Sequence, residues 1–333
     1  MMAQSISLAA IEDARARIGS RILSTPTVAS PTLSARFGFA VFLKLEHRQT
    51  TGSFKLRGAT NALLSMPPDA RRNGVAAAST GNHGRGLAYA ARQEGVRCIV
   101  CMSSLVPANK VDAIRALGAE VRIIGRSQDD AQAEVERLVR EEGCATIPPF
   151  DHRDVIAGQG TIGLEIIEDV PDVELVLLPV SGGGLAGGIA SAVKGLRPQA
   201  RVIGVSMERG AAMHASLAAG RPVLVDEVPT LADSLGGGIG LENRYTYQLA
   251  ADLLDDLILL SEAEIAAAID HTYAVEQEIV EGAGAVAVGA LLAGKAAVRG
   301  TTVALLSGRN IDMALHRRII CGNSITGETS CPA

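Results

Sequence analysis

The stretch Thr50-Thr-Gly-Ser-Phe-Lys-Leu-Arg-Gly-Ala59 places one lysine, Lys55, where a polar turn becomes a helix. The hydroxyl residues before it are candidate helix N-caps, and the spacing of Leu56, Ala59 and Leu63 predicts a buried helical stripe. The helix dipole and burial both disfavour a cation in this first turn, so we expect Lys55 to lose its proton readily. The neutral amine can attack an aldehyde carbon, which makes Lys55 a candidate nucleophile. On this stretch alone, a solvated surface lysine is the simpler interpretation.

A second motif, Ser79-Thr-Gly-Asn-His-Gly84, follows the strand-like run Val75–Ala78 and opens a helical pattern. The unpaired backbone N–H groups and positive dipole end of a helix N-terminus suit a carboxylate or a phosphate oxygen. Taken alone, the motif is explained as well by helix capping without a ligand.

A third motif, Ser181-Gly-Gly-Gly-Leu-Ala-Gly-Gly188, follows the strand-like run Leu175–Val180. Consecutive glycines let the backbone turn its N–H groups inwards as an anion cradle. The motif lacks the lysine of a Walker A loop and is not a G-x-G-x-x-G fingerprint, so it favours a phosphate that needs no magnesium. A flexible glycine turn is the alternative.

Weaker signals lie further along the chain. Ser307-Gly-Arg-Asn310 follows the strand-like run Val303–Leu306, and Gly236–Gly240 is another glycine cluster. Glu281 precedes a Gly/Ala-rich helix start, where it either orients a neighbour or caps the helix. Glu208 ends a strand and is either a metal ligand or, more simply, a structural residue.

Composition limits the class of protein. The chain has 333 residues, a net charge of −5, 3% aromatic residues and no tryptophan, which argues against nucleic acid as a partner. No membrane span or secretion signal is visible, so we expect a cytoplasmic protein without a membrane partner. The five cysteines are odd in number and scattered, and we expect reduced thiols; Cys98 and Cys101 match a C-x-x-C spacing only weakly.

Strand-like and helical patterns alternate through most of the chain, which predicts an α/β protein with parallel sheets covered on both faces. The predicted strands are 41–45, 74–78, 97–102, 120–124, 175–180, 201–207 and 301–307. The break at Pro148-Pro149 favours two sheets. Ligands of such sheets bind beyond the carboxyl ends of the strands, where several of these motifs begin.

Over nearly its whole length the chain resembles the fold type II pyridoxal-phosphate enzymes, which carry the same motifs in the same order. These motifs are Ser-Phe-Lys-x-Arg-Gly-Ala, then Ser-x-Gly-Asn-His-Gly, then a polyglycine loop, and finally Ser-Gly-x-Asn. Within that group the chain is similar to the threonine/serine dehydratase branch. The sequences of the segments Leu45–Thr51 and Ser206–Met213 are similar to the corresponding segments of dehydratases of hydroxyectoine utilisation. The resemblance implies two open, mainly parallel αβα domains of the tryptophan synthase β type, with pyridoxal 5'-phosphate in the cleft between them. Residues 1–48 and 149–333 would form the large domain and residues 49–148 the small one.

The resemblance also implies roles for individual residues. Lys55 would form the Schiff base with the cofactor and then move the α-proton. Ser307 would face the pyridine nitrogen, where a neutral hydroxyl does not enforce a pyridinium and so favours elimination. The cofactor contacts would be Phe54, Lys55, Asn82, Ser181, Gly182, Gly183, Gly184, Leu185 and Ser307. The substrate contacts would be Ser79, Thr80, Gly81 and His83. The implied reaction removes water from a β-hydroxy amino acid and yields a 2-oxo acid and ammonia.

Several departures keep alternatives open. Thr80, a candidate catalytic residue, stands where racemase-like members have serine, and Glu208 is followed at the metal-ligand spacing by His214; we expect no bound metal. Arg309 replaces a glycine and either selects a second acidic group or points to solvent. The alternatives to a lyase are a racemase, a β-replacement synthase or a non-catalytic phosphate-ligand sensor. The family implies a homodimer, and the sequence does not decide which hydroxy-amino acid is the substrate.

Overall fold

The computed structural model describes residues 5–79, 81–106, 108–126 and 128–322. Its strands are β1 Thr27–Ala29, β2 Val41–Lys44, β3 Val75–Ala78, β4 Cys98–Met102, β5 Glu120–Ile123, β6 Ala145–Thr146, β7 Leu175–Pro179, β8 Arg201–Met207, β9 Asp256–Leu260 and β10 Thr302–Leu305. Its α-helices are α1 Leu8–Ile18, α2 Pro31–Phe37, α3 Lys55–Ser65, α4 Asn82–Gln93, α5 Ala108–Ala116, α6 Gln128–Arg137, α7 Arg153–Asp169, α8 Gly184–Leu196, α9 Ala212–Ala219, α10 Thr246–Leu253, α11 Glu262–Ala274, α12 Gly282–Leu292 and α13 Met313–Ile320. The predictions for Thr80 and Cys331 lie outside the described residues.

Two sheets organise these elements, as the sequence predicts. The six-stranded sheet has the order β1-β2-β10-β7-β8-β9, and the four-stranded sheet has the order β5-β4-β3-β6. Every pairing is parallel except that of β1 with β2. The four-stranded sheet uses strands within residues 49–148, and the strands of the six-stranded sheet all lie outside that range. The domain bounds themselves stay a prediction.

Glycines let the helices that carry the site approach each other closely. A Cβ on Gly158 of α7 would lie 2.7 Å from the Cα of Gly58 in α3, and one on Gly188 of α8 would lie 2.4 Å from the carbonyl oxygen of Ile156. Each distance is shorter than side chains tolerate, so α3 and α8 both pack on α7 backbone to backbone. The helix that follows Lys55 is thereby fixed relative to the helix that follows the polyglycine loop.

A buried ionic cluster anchors the first turn of α3. Arg57 is fully buried and donates from Nη2 to Glu46 (2.7 Å) and from Nη1 to Glu165 (2.6 Å). Lys44, also fully buried, lies 2.8 Å from Glu165. The two carboxylates more than offset the burial that would lower the pKa of Arg57, so its pKa is raised and it stays charged. Arg57, two positions after Lys55, is therefore bound to the turn after β2 and to α7.

The cysteines of the described chain are free thiols, as expected. Cys98 and Cys101 lie in β4 but pack into different apolar clusters, because residues three apart on a strand face opposite sides of the sheet. Burial raises the pKa of Cys98 to about 12 and that of Cys101 to about 11. The pair therefore does not share one metal ion. No helix within the described ranges has both the length and the apolar character needed to cross a bilayer.

Candidate active site

A cavity of about 690 Å³ collects the motifs that follow the strands. Its lining includes Lys55, the loop after β3, the polyglycine loop after β7 and Ser307 after β10. Another cavity, of about 890 Å³, lies at the opposite ends of β7, β8 and β10 and is lined by none of these motifs. The smaller cavity is therefore the candidate site, because it lies beyond the carboxyl ends of the strands and contains the candidate nucleophile.

Lys55 is the first residue of α3, in the first turn as predicted. Its Nζ donates a hydrogen bond to the carbonyl oxygen of Pro149 at 2.8 Å and lies 5.3 Å from the centre of the Phe54 ring. Burial lowers the pKa of Lys55 to about 8, and the nearby Glu281 carboxylate opposes this shift. A substantial fraction of Lys55 is thus neutral near pH 8, the state that a nucleophilic amine requires.

The expected capping of α3 by hydroxyl side chains is not observed. The N-cap is Phe54, without a side-chain cap, while the Oγ atoms of Thr51 and Ser53 are buried without a hydrogen-bond partner among the described residues. The turn is held by its backbone instead of by side-chain caps, because Ser53 forms an isolated antiparallel bridge with Gly308. The N–H of Phe54 donates to the carbonyl oxygen of Ser307 at 3.1 Å. The Lys55 turn is therefore held by the turn that carries Ser307.

The loop after β3 forms the N-terminus of α4. The N-cap of α4 is Gly81, and the Oγ of Ser79, two residues earlier, accepts from the N–H of Gly84 in the first turn at 2.9 Å. His83 is buried, and its Nε2 lies 2.8 Å from the carbonyl oxygen of Ile147, which can only accept. The Nε2 therefore carries the proton. Burial, and then the charge of Lys55, lower the pKa of His83 to about 3, so the imidazole is neutral.

The polyglycine loop forms the N-terminus of α8. Gly183 is the N-cap and has a φ of 85°, a conformation that favours glycine. A Cβ on Gly182 would lie 2.4 Å from the Phe150 ring, and one on Gly184 would lie 2.9 Å from the Phe150 Cα. Ser181 and Leu185 complete the same wall of the cavity. The first N–H groups of a helix have no intrahelical acceptor, so this loop offers donors to a phosphate.

Four polar side chains form a line between α4 and the turn after β10, and two of them, Asn82 and Glu281, line the cavity. Asn82 donates from Nδ2 to Glu281 Oε1 at 2.6 Å, and its Oδ1 accepts from Asn310 Nδ2 at 2.5 Å. Arg85 donates to Asn310 Oδ1 at 3.1 Å. Glu281 is buried, which raises its pKa to about 7, and the charge of Asp233 adds to that shift. Of the two interpretations of Glu281, orienting a neighbour matches these contacts, and no side-chain cap from it is present on α12.

The outer wall of the cavity carries charges that the sequence did not single out. Lys110 of α5 and Asp233 of the turn before Leu235 form an ion pair of 2.9 Å across it. Arg126 and Glu227 line the same wall, next to Gly236–Gly238 of the glycine cluster. Lys110 comes after strand β4, just as the predicted motifs come after β3 and β7. The rule that ligands bind beyond the carboxyl ends of parallel strands could therefore have indicated Lys110 as a residue of the site.

Two candidate residues lie away from the site. Arg309 is exposed and does not line the cavity; its N–H donates to the carbonyl oxygen of Gly52. Glu208 lies 3.5 Å from Lys295 at the surface. Within the described ranges, no three His, Cys, Asp or Glu residues are grouped as metal ligands. The expectation that Glu208 binds no metal stays a prediction.

The chemistry of the cavity fits pyridoxal phosphate. One wall offers backbone N–H groups over glycines that no side chain can replace, which suits a phosphate, and the opposite region offers a lysine of lowered pKa, which suits an aldehyde. Ser307 is buried and lines the same cavity, and its Oγ donates to the carbonyl oxygen of Ala283 at 3.4 Å. The substrate-loop residues Ser79, Gly81 and His83 border the same space.

Comparison with known proteins defines the class. The model of the family described as "Pyridoxal-phosphate dependent enzyme" matches residues 18–308. A "Putative threonine dehydratase" from Sinorhizobium fredii is 61% identical over 319 residues, covering 96% of both chains. An "L-threonine ammonia-lyase" from Thermotoga maritima is 40% identical, covering 95% of this chain and 78% of its own. The structure of maize serine racemase is 29% identical, with a TM-score of 0.89, and the match covers 93% of this chain and 95% of that one.

The chain belongs to the family of pyridoxal-phosphate-dependent enzymes. Within it, the chain is a dehydratase of the ammonia-lyase type. The predicted fold class, family and cofactor are thereby confirmed. The resemblance to dehydratases of hydroxyectoine utilisation stays a prediction.

Proposed function

We propose that this protein removes water from a small β-hydroxy amino acid of the threonine or serine type and releases a 2-oxo acid and ammonia. The observation that carries the proposal is the single cavity that brings Lys55 together with the polyglycine loop and the loop of Ser79 and His83. The identity to threonine dehydratases and ammonia-lyases supports threonine as the first substrate to test.

The proposed residue roles follow the walls of the cavity. Ser181–Leu185 hold the phosphate through backbone N–H groups, Phe54 packs near the ring, and Ser307 faces its nitrogen with a neutral hydroxyl. The N-terminus of α4 binds the substrate carboxylate through Ser79, Gly81 and His83, and we assign Thr80 to the same loop. Asn82 reaches the ring oxygen. When bound, pyridoxal phosphate supplies an electron-withdrawing ring that acidifies the α-proton of an attached amino acid.

Lys55 has two tasks in this scheme. With the cofactor bound, the neutral amine of Lys55 would hold the aldehyde carbon of the cofactor, and the amine freed by the substrate would accept the α-proton. The electron pair of the broken C–H bond would form the new double bond between the α- and β-carbons, and the β-hydroxyl would leave as water with the proton that the Lys55 amine had accepted. The released enamine then gains a water molecule and yields the 2-oxo acid and ammonia. Because His83 is neutral and donates to a backbone carbonyl, it binds and orients rather than supplying a proton as a cation.

The test is the visible absorption spectrum of the purified protein before and after addition of L-threonine, L-serine and 3-hydroxyaspartate, with ammonia measured in parallel. We expect a band from bound cofactor that shifts as ammonia forms with at least one of them. The matched variants are Lys55→Ala and Lys55→Arg, and we expect neither to show that band. A wild-type protein that shows no band after incubation with pyridoxal phosphate would favour the phosphate-ligand sensor instead.

A racemase is the second candidate, because the maize serine racemase structure overlays on most of this chain. Both activities begin with removal of the α-proton; a racemase then returns a proton to the same carbon, whereas a dehydratase expels the β-hydroxyl. Chiral chromatography of recovered serine, with ammonia as the parallel readout, separates them. An added thiol, with product analysis for a new C–S bond, tests for a β-replacement synthase.

We also keep the homodimer, the cytoplasmic location and the domain bounds 1–48 with 149–333 and 49–148 as proposals. The homodimer is supported by family membership and is tested by sedimentation equilibrium of the protein loaded with cofactor. The domain bounds are supported by the separation of the two sheets along the chain and are tested by limited proteolysis near residues 48 and 148.

A further inference from the structure

The polar side chains beside Asn82 form a line with a fixed direction. The contacts run from Arg85 to Asn310, from Asn310 to Asn82, and from Asn82 to Glu281, each as donor to acceptor. A guanidinium can only donate and an ionised carboxylate can only accept. One end of the line is therefore a donor and the other an acceptor. Each of the two amides between them has one orientation that satisfies every contact.

Each amide is fixed by more than its neighbour in the line. The Nδ2 of Asn310 also donates to the carbonyl oxygen of Thr51 at 3.0 Å, so its Oδ1 must face Arg85. Glu281 accepts on its second oxygen from the backbone N–H of Asn310 at 3.1 Å. Asn82, Asn310 and Glu281 thus form a closed set, and reversing the Asn82 amide would place oxygen against oxygen at Glu281.

A glycine makes room for this arrangement. A Cβ on Gly308 would lie 2.4 Å from Glu281 Oε1 and 3.4 Å from Asn82 Nδ2. The turn that follows Ser307 therefore passes directly over the contact between Asn82 and Glu281. Glu281 is only 4% exposed, so its side chain is held mainly by these protein contacts.

We propose that Glu281 and Asn310 are positioning residues that turn one N–H of Asn82 into the cavity, so that Asn82 stabilises the anionic form of the cofactor's ring oxygen. The amide nitrogen has two N–H groups; Glu281 takes one, and the second is left for the cavity that Asn82 lines. This inference rests on the proposed function, because it requires the cofactor ring to lie against Asn82.

The charges that face Glu281 come from four elements. Asp233 raises the pKa of Glu281, Lys110 lowers it, and the charge of Glu281 acts in turn on Lys55 and Arg85. With a pKa of about 7, Glu281 is mostly ionised at pH 8, where it can only accept. The experiment is therefore run at pH 8.

The test compares wild type, Glu281→Gln and Asn310→Asp, each loaded with pyridoxal phosphate. A glutamine satisfies only one of the two donors that meet Glu281, and an aspartate at 310 cannot donate to Asn82. The control is Glu168→Gln, which removes an exposed carboxylate paired with Arg15 at the surface. The readouts are the ratio of the two absorption bands of the bound cofactor, with its ring oxygen neutral or anionic, and the apparent dissociation constant of the cofactor.

We expect both variants to shift the band ratio about tenfold towards the neutral-oxygen form, the equivalent of one lost hydrogen bond, and to weaken cofactor binding. The control should match wild type. If the wild type produces ammonia but both variants bind the cofactor fully and keep the wild-type ratio of the two bands, this inference alone would be overturned. A wild type without bound cofactor would overturn it together with the proposed function. If Glu281→Gln does not fold, Asn310→Asp decides the outcome.

Discussion

Lys55 Nζ and the carbonyl oxygen of Pro149 are joined by a hydrogen bond of 2.8 Å. Pro149 precedes Phe150, whose ring packs against Gly182 and whose backbone packs against Gly184. The candidate nucleophile and the candidate phosphate loop are thus connected through one short segment. Attachment of Lys55 to an aldehyde would remove this hydrogen bond, which makes the Pro149 carbonyl a reporter of loading.

The lowered pKa of Lys55 predicts how the apoprotein captures its cofactor. The folded pKa of about 8 lies below the ordinary value of 10.5, so the amine is protonated below pH 8 and neutral above it. The rate of covalent capture should rise with pH through a midpoint near 8 and then level off. Stopped-flow absorbance after addition of pyridoxal phosphate measures this rate. A rate that continues to rise through pH 10 would show an ordinary lysine.

The glycine cradle predicts unequal effects of two alanine substitutions in one helix. Gly184→Ala places a methyl group against the Phe150 backbone, whereas at Gly195 the nearest atom of Leu8 is 3.9 Å away. We expect Gly184→Ala to weaken binding of the cofactor at least about tenfold, the equivalent of one or more lost phosphate hydrogen bonds. Gly195→Ala is the control and should bind as wild type does. Equal affinities, measured by absorbance titration, would contradict the assignment of this loop.

The buried cluster around Arg57 predicts a large cost in stability. Arg57→Met leaves Glu46 and Glu165 without the guanidinium that both contact, and breaking a buried ion pair costs about 3–5 kcal/mol. The control, Arg15→Met, removes a surface partner of Glu168 and should cost less than about 1 kcal/mol. Urea unfolding of the two apoproteins measures both. A small cost at Arg57 would mean that the carboxylates find other partners.

The hydrogen bond of His83 predicts which substitution preserves function. His83→Gln keeps an N–H that can donate to the Ile147 carbonyl, so we expect most of kcat/KM to remain, whereas His83→Leu should lose about tenfold or more. Because the pKa of His83 is about 3, its titration should leave no limb in the pH profile of wild type between pH 5 and 8. Loss of turnover in His83→Gln at every pH would instead assign proton transfer to the imidazole.

The fold and much of the site could be predicted because they depend on local patterns. Strands β3, β7 and β10 are short apolar runs, and the motif after each is polar and glycine-rich, so the carboxyl-edge rule brings Asn82, Ser181 and Ser307 together. Three strands were missed. The strands β1 and β6 have three and two residues, which are too few to show an alternating pattern. The apolar run of β9, at 257–260, is too short to be distinguished from the end of the helix before it.

The rest depends on side-chain direction across long separations. Arg85 and Asn310 are 225 positions apart, and nothing in either neighbourhood indicates that they meet. Local propensity failed at α3, where Ser53, a residue type that usually caps a helix, forms instead the bridge with Gly308. The ion pair of Lys110 and Asp233 likewise joins segments 123 positions apart.

The pairing of β2 with β10 has a consequence for biosynthesis. The backbone that shapes the Lys55 turn includes residues 307–309, which leave the ribosome long after Lys55 does. A nascent chain that has emerged only as far as residue 300 has the lysine and the glycine loop but no partner for this turn. Uptake of pyridoxal phosphate would then wait until residues 307–309 have been made, and chains truncated at residue 300 would accumulate as colourless protein while the chain printed here turns yellow.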